Sequence, residues 1–99
     1  MPTALSEEVQ LRVKILFKAE ERAFASELLA SDCGNNLPFC ANSTPSELDR
    51  IRCAALKLSE GEIAKLKKAV VLAKLDWRDL LVAAGFADDV YAHEQWFPD

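Results

Sequence analysis

The chain has 99 residues, 51% of them apolar and 28% charged. That balance supports one modest hydrophobic core and excludes a disordered chain or a multi-domain protein. A formal net charge of −4 argues against a dedicated nucleic-acid binder, which needs a cationic face to neutralise phosphates. The longest apolar runs, Ala69–Ala73 and Leu80–Ala84, are too short to span a bilayer.

Charge is segregated along the chain. Residues 1–45 carry four Lys/Arg against six Asp/Glu, residues 46–75 seven against four, and residues 76–99 one against six. A basic middle before an acidic tail reads as neighbouring segments that pack side by side and partly neutralise each other. The N-terminal stretch Met1-Pro2-Thr3-Ala4-Leu5-Ser6 lacks the basic region and apolar run of a signal peptide. A cytoplasmic location with reduced thiols is therefore expected.

A first helix is expected from Ser6, a good N-cap with Glu7 and Glu8 directly after it, to about Ala30. Val9, Val13, Leu16, Phe17, Phe24 and Leu28 share one broad face, interrupted by Glu20 and Glu27, while Leu11, Ile15 and Leu29 lie away from its centre. A helix apolar on two sides is either central in its fold or shared with a second chain. Whether it runs straight or breaks near Glu20-Glu21 is open at this stage. Residues 32–44 form the one long non-periodic stretch. Leu37 and Phe39 flank a proline there, so the loop is expected to fold onto the core, and it is the place to look for a binding loop.

Thr44-Pro45-Ser46-Glu47 announces the second helix with a capping hydroxyl, a proline at the first position and a reciprocal glutamate. Leu48, Ile51, Ala55 and Leu58 recur on one face. Ser59-Glu60-Gly61-Glu62 has the same capping spacing and reads as the start of a third helix, with Ile63, Leu66, Val70 and Ala73 inward. Val71, Leu72 and Leu75 carry its apolar surface round the far side, so its second half is expected to be deeply buried. Asp76 reads as the cap of a short fourth helix carrying Trp77, Leu80, Leu81 and Ala84. Gly85 suits the left-handed position that ends it, and Phe86 supplies the hydrophobic contact that commonly accompanies such an end. A last turn or two is expected from Asp89 to Gln95. No strand signal is present.

Candidate sites compete with structural explanations. Cys33, Cys40, Cys53 and His93 are the whole stock of soft ligands, but no close Cys-x-x-Cys pair exists and Cys53 reads as a core residue, so no metal is expected. Cys33 and Cys40 remain candidate redox thiols, able to close the loop by pairing. The acids Asp76, Asp79, Asp88, Asp89 and Glu94 are explained by helix caps and first turns. The cations Arg50, Arg52, Lys57, Lys65, Lys67, Lys68 and Lys74 are the one plausible nucleic-acid footprint, yet they spread around their helices. Trp96-Phe97 either staples the tail to the body or anchors a partner.

Two strings, Arg50-Ile51-Arg52-Cys53-Ala54-Ala55-Leu56-Lys57-Leu58-Ser59-Glu60-Gly61 and Asp76-Trp77-Arg78-Asp79-Leu80-Leu81-Val82-Ala83-Ala84-Gly85-Phe86-Ala87, resemble a family of short, uncharacterised bacterial all-α proteins of about this length, across residues 44–97. The resemblance implies a bacterial cytoplasmic origin and transfers no activity or site.

The sequence thus specifies an all-α single domain over 1–99 with four to five helices, orthogonal or bundle-like: a long first helix over 6–30, an irregular loop over 32–44 and a helical body over 45–97. No phosphate-binding glycine loop or nucleophile–base motif occurs, so no catalytic residue and no cofactor are expected. The preferred reading is a small interaction or regulatory module that forms a homodimer through Leu11, Ile15 and Leu29. A nucleic-acid accessory using residues 50–74 and a thiol-based redox or metal protein are the alternatives.

Overall fold

The computed structural model describes residues 4–98, among which there are five helices and no strand. They are α1 (Glu7–Leu16), α2 (Ala19–Asp32), α3 (Pro45–Ser59), α4 (Ile63–Ala84) and α5 (Ala92–Gln95). The all-α single domain read from the sequence is what the chain forms, in a body measuring 32 × 28 × 23 Å.

The expected long first helix is two. It starts as read, with Ser6 Oγ accepting from the Val9 amide, but it breaks at Phe17 and Lys18, both extended. No glycine or proline marks the spot. The break is a tertiary effect: Phe17 turns into the core, and Arg22 reaches back to donate to the carbonyls of Phe17 at 3.0 Å and Lys14 at 3.1 Å. A side chain from the next helix thus satisfies carbonyls that the helix end leaves without partners. At the far end of α2, Asp32 sits against the negative end of the helix dipole, and Lys74 offsets it from 3.4 Å.

The central helix is α3. Its capping box forms as expected, with Thr44 Oγ1 accepting from the Glu47 amide and Glu47 accepting from the Thr44 amide. Every residue from Ile51 to Leu56 is buried, where the sequence marked a single face. Small side chains at Cys53, Ala54 and Ala55 let α1, α4 and α5 approach α3 closely. Arg52 lies among them with its Nε donating to the Cys33 carbonyl at 2.8 Å and Nη1 to the Ala4 carbonyl at 3.1 Å.

The turn into α4 differs from expectation. Ser59 ends α3 rather than starting a helix: its hydroxyl donates to the Leu56 carbonyl at 2.6 Å and accepts from the Gly61 amide at 3.2 Å. Glu60 and Gly61 are both left-handed, and α4 begins after Glu62. The expected third and fourth helices are joined across a kink at Asp76, the one residue within α4 with non-helical backbone angles. Asp76 does cap the turns beyond the kink, its Oδ1 accepting from the Arg78 amide at 3.0 Å, and that bond holds its carboxyl below the usual range.

Gly85 is left-handed, and the Gly85 and Phe86 amides close back on Val82 and Leu81, which buries Phe86. Val71 and Leu75 overturn the expectation of burial. The stripe Leu66, Ala69, Val70 and Ala73 faces the core, leaving Val71 and Leu75 on the outer side at 56% and 77% exposure.

Candidate functional site

A concave feature lies where α1, the start of α3 and α5 meet. It is a cleft of about 310 Å³ lined by Glu8, Arg12, Ser46, Asp49, Cys53, His93 and Glu94. Its wall is built on Arg12, which occupies the inward face of α1 between Val9 and Val13 and is 2% exposed. The guanidinium donates to the carbonyls of Glu8 at 2.8 Å, Trp96 at 3.0 Å and His93 at 3.2 Å. Phe97 lies over it with the ring centre 4.2 Å away, and Trp96 packs on the core, tilted against Phe86 at 6.3 Å. Arg12 is therefore the clasp that holds the C-terminal tail and α5 on α1. Trp96-Phe97 is the staple that the sequence allowed for, with Phe97 left half-exposed.

His93 comes to the cleft from α5 and is 4% exposed. Its Nδ1 has no hydrogen-bond partner, a situation that costs about 1–3 kcal/mol for a buried polar group. Burial pushes the imidazole down from its ordinary range; Arg12 and Arg50 act in the same direction, against Glu94 and Asp49. Glu8, Asp49 and Glu94 bring a carboxylate from each of three helices to the same cleft. Cys53, at its floor, is buried and its thiol is pushed up to about 12 by desolvation.

The other candidates fall in different places. Leu11 and Ile15 stand together on the outer face of α1 at 45% and 44% exposure, but Leu29 is fully buried. Leu29 is therefore core, because the break at Phe17 re-aims α2 and turns this position inward. Cys33 and Cys40 are buried free thiols in the body of the core, and desolvation pushes Cys33 up to about 12. Among the described residues, no group of three or more His, Cys, Asp or Glu is placed to hold a metal ion.

The 32–44 loop is pinned by its own side chains. Asn35 donates to the Cys40 carbonyl at 2.8 Å, Asn36 donates to the Ser31 carbonyl at 2.8 Å, and Trp77 holds Pro38 from outside. Leu37 folds into the core as expected; Phe39 instead points to solvent at 91% exposure with a positive φ. The basic segment is likewise engaged in structure. Arg50 donates to the Phe86 and Ala87 carbonyls, Lys57 to the Ala84 carbonyl, and Lys65 pairs with Glu60 and Glu62. Lys67 lies over the Phe24 ring.

Sequence reasoning weighed His93 as a metal ligand and missed Arg12 and Asp49. A signal for Arg12 was present: it stands three positions after Val9 and four before Leu16, so it falls on the buried face. Comparisons with known proteins add nothing to this geometry. No family model, curated protein or solved structure matches the chain.

Proposed function

We propose that this chain is a non-catalytic protein-interaction module that self-associates through the outer face of α1. The observation that carries the reading is the Leu11–Ile15 pair. The two side chains sit one helical turn apart on the side of α1 opposite the buried Val9, Val13 and Phe17. Apolar side chains grouped on a helix face offer a self-complementary patch for a two-fold contact. Thiol chemistry in the cleft does not compete with this reading, since the Cys53 thiol, pushed up to about 12 by burial, holds almost no thiolate at neutral pH. No helix among the described residues is long and apolar enough to cross a membrane.

Light-scattering mass across a concentration series, with and without reductant, tests the proposal. The expected result is a dimer in both conditions that becomes a monomer in a Leu11→Glu, Ile15→Glu variant. A wild-type monomer at every concentration, or a variant that keeps the dimer mass, overturns it.

A further inference from the structure

We propose that Phe39 is an anchor by which this chain binds a second, different protein, one that offers a neutral apolar socket for a single aromatic ring. Leu37-Pro38-Phe39-Cys40 is a turn, closed by the Cys40 amide on the Leu37 carbonyl at 3.0 Å. Proline sits at its second position, as such turns favour, but the third has a φ of 65° and holds a phenylalanine. A positive φ there is the place of glycine or asparagine, and a bulky L side chain is strained in it. Burial does not offset that strain. The ring is 91% exposed, more than any other large apolar side chain among the described residues. Strain with no structural return gathers where a chain meets something other than itself.

The loop is built to hold the ring out. Leu37 and Cys40, on either side of the Pro38-Phe39 pair, are buried at 3% and 1% exposure. The Pro38 carbonyl accepts from Trp77 Nε1 and the Cys40 carbonyl from the Asn35 carboxamide, each at 2.8 Å. A ring on a pinned backbone loses little freedom on binding. Its surroundings select the partner. No residue from Cys33 to Ser46 carries a charged side chain, in a chain that is 28% charged, and Pro38, Ala41 and Asn42 beside the ring are exposed. A nucleic acid stacking on Phe39, or an anionic membrane, calls for cations that this stretch does not supply. An uncharged surface around one aromatic is the composition of a protein-interface core, where such rings carry most of the binding. The matching surface is equally neutral: an apolar pocket of ring size, with a hydrogen-bonding group for the Asn42 carboxamide. Phe39 and the Leu11–Ile15 pair stand on different elements, so the two contacts are independent.

The test puts p-benzoylphenylalanine in place of Phe39 in the full chain and irradiates it in the cells that make the protein. The expected product is a covalent adduct with a different polypeptide, joined at residues that line an uncharged apolar pocket. That polypeptide, purified, is then titrated with the unmodified chain. Phe39→Ala is expected to weaken binding about thirtyfold or more, the effect of removing a central aromatic. Leu11→Glu, Ile15→Glu is expected to leave it within about threefold. Phe39→Gly, which suits the positive φ, is expected to unfold at the same urea concentration as the wild type or a higher one. An adduct between two copies of this chain, an adduct with lipid or nucleic acid, no adduct beyond an unirradiated control, or a loss of less than about threefold in Phe39→Ala overturns the proposal. So does a Phe39→Gly variant that unfolds at clearly lower urea, because the ring would then serve the fold.

Discussion

The indole Nε1–H of Trp77 donates to the carbonyl oxygen of Pro38 at 2.8 Å, so the kink of α4 and the loop between α2 and α3 hold each other in place. Trp77→Phe keeps the ring's apolar contact and removes the donor. It is expected to lower stability by about 0.5–1.5 kcal/mol and to speed amide exchange across residues 34–43. Urea unfolding and hydrogen exchange check the two parts separately.

Arg12 is a stronger dependency. Arg12→Met removes the donor to three carbonyls and releases Phe97, and the expected loss is about 2–4 kcal/mol. Arg12→Lys retains the charge but not the planar fork that reaches the Glu8, His93 and Trp96 carbonyls together, so an intermediate loss is expected. In both variants the α5 amides should exchange faster than those of α3. Uniform exchange along the chain would contradict the clasp.

Two glycines separate conformational from steric cost. Gly85 and Gly61 both have positive φ, but a Cβ on Gly61 would lie 2.7 Å from the Leu16 carbonyl oxygen, while one on Gly85 meets only Lys57 Nζ at 3.8 Å. Gly85→Ala is expected to cost about 1–2 kcal/mol, the left-handed penalty alone. Gly61→Ala carries the same penalty plus displacement of the α1 end. Equal losses in denaturant unfolding would mean that α1 and the α3–α4 turn do not press together.

Cys33 and Cys53 are both pushed from 9.0 up to about 12 by burial. Each thiol stays protonated in the folded chain while the unfolded chain releases its proton near 9.0. Their contribution to stability is therefore complete below about pH 9 and is lost as pH rises towards about 12, at about 1.4 kcal/mol per pH unit per thiol. Stability against pH should bend downward from about pH 9, and Cys33→Ala should remove one thiol's share of that slope. The slope, not the absolute stability, is the readout. At about pH 8 neither native thiol should react with iodoacetamide except through unfolding.

The helix ends were the legible part of this fold. Thr44, Asp76 and Gly85 announce themselves because capping is a local matter of one side chain, or one backbone angle, and the neighbouring amides. The break after Leu16 has no local cause, since Phe17 and Lys18 are ordinary helix residues; it comes from burial of Phe17 and from Arg22, a whole turn away. Ser59 shows the same limit from the other side. Its spacing to Glu62 fits a capping box, but the fold uses its hydroxyl to close the preceding helix. The central place of α3 was masked by Arg52, which reads as polar yet lies buried because the Cys33 and Ala4 carbonyls await it. For the same reason the cleft was hard to see: Arg12, Asp49 and His93 are far apart in sequence and meet only when α5 folds back over α1 and α3.

Turning arginines inward also changes what the solvent meets. Arg12 and Arg52 are 2% and 1% exposed, while most of the acids remain outside. The near field around the molecule is therefore more anionic than a net charge of −4 implies, and two copies approaching each other repel at low ionic strength. Raising salt shortens the reach of that repulsion from about 30 Å at 0.01 M to about 8 Å at 0.15 M. Self-association of this chain should strengthen as salt is added, the opposite of what an ion-paired contact would do.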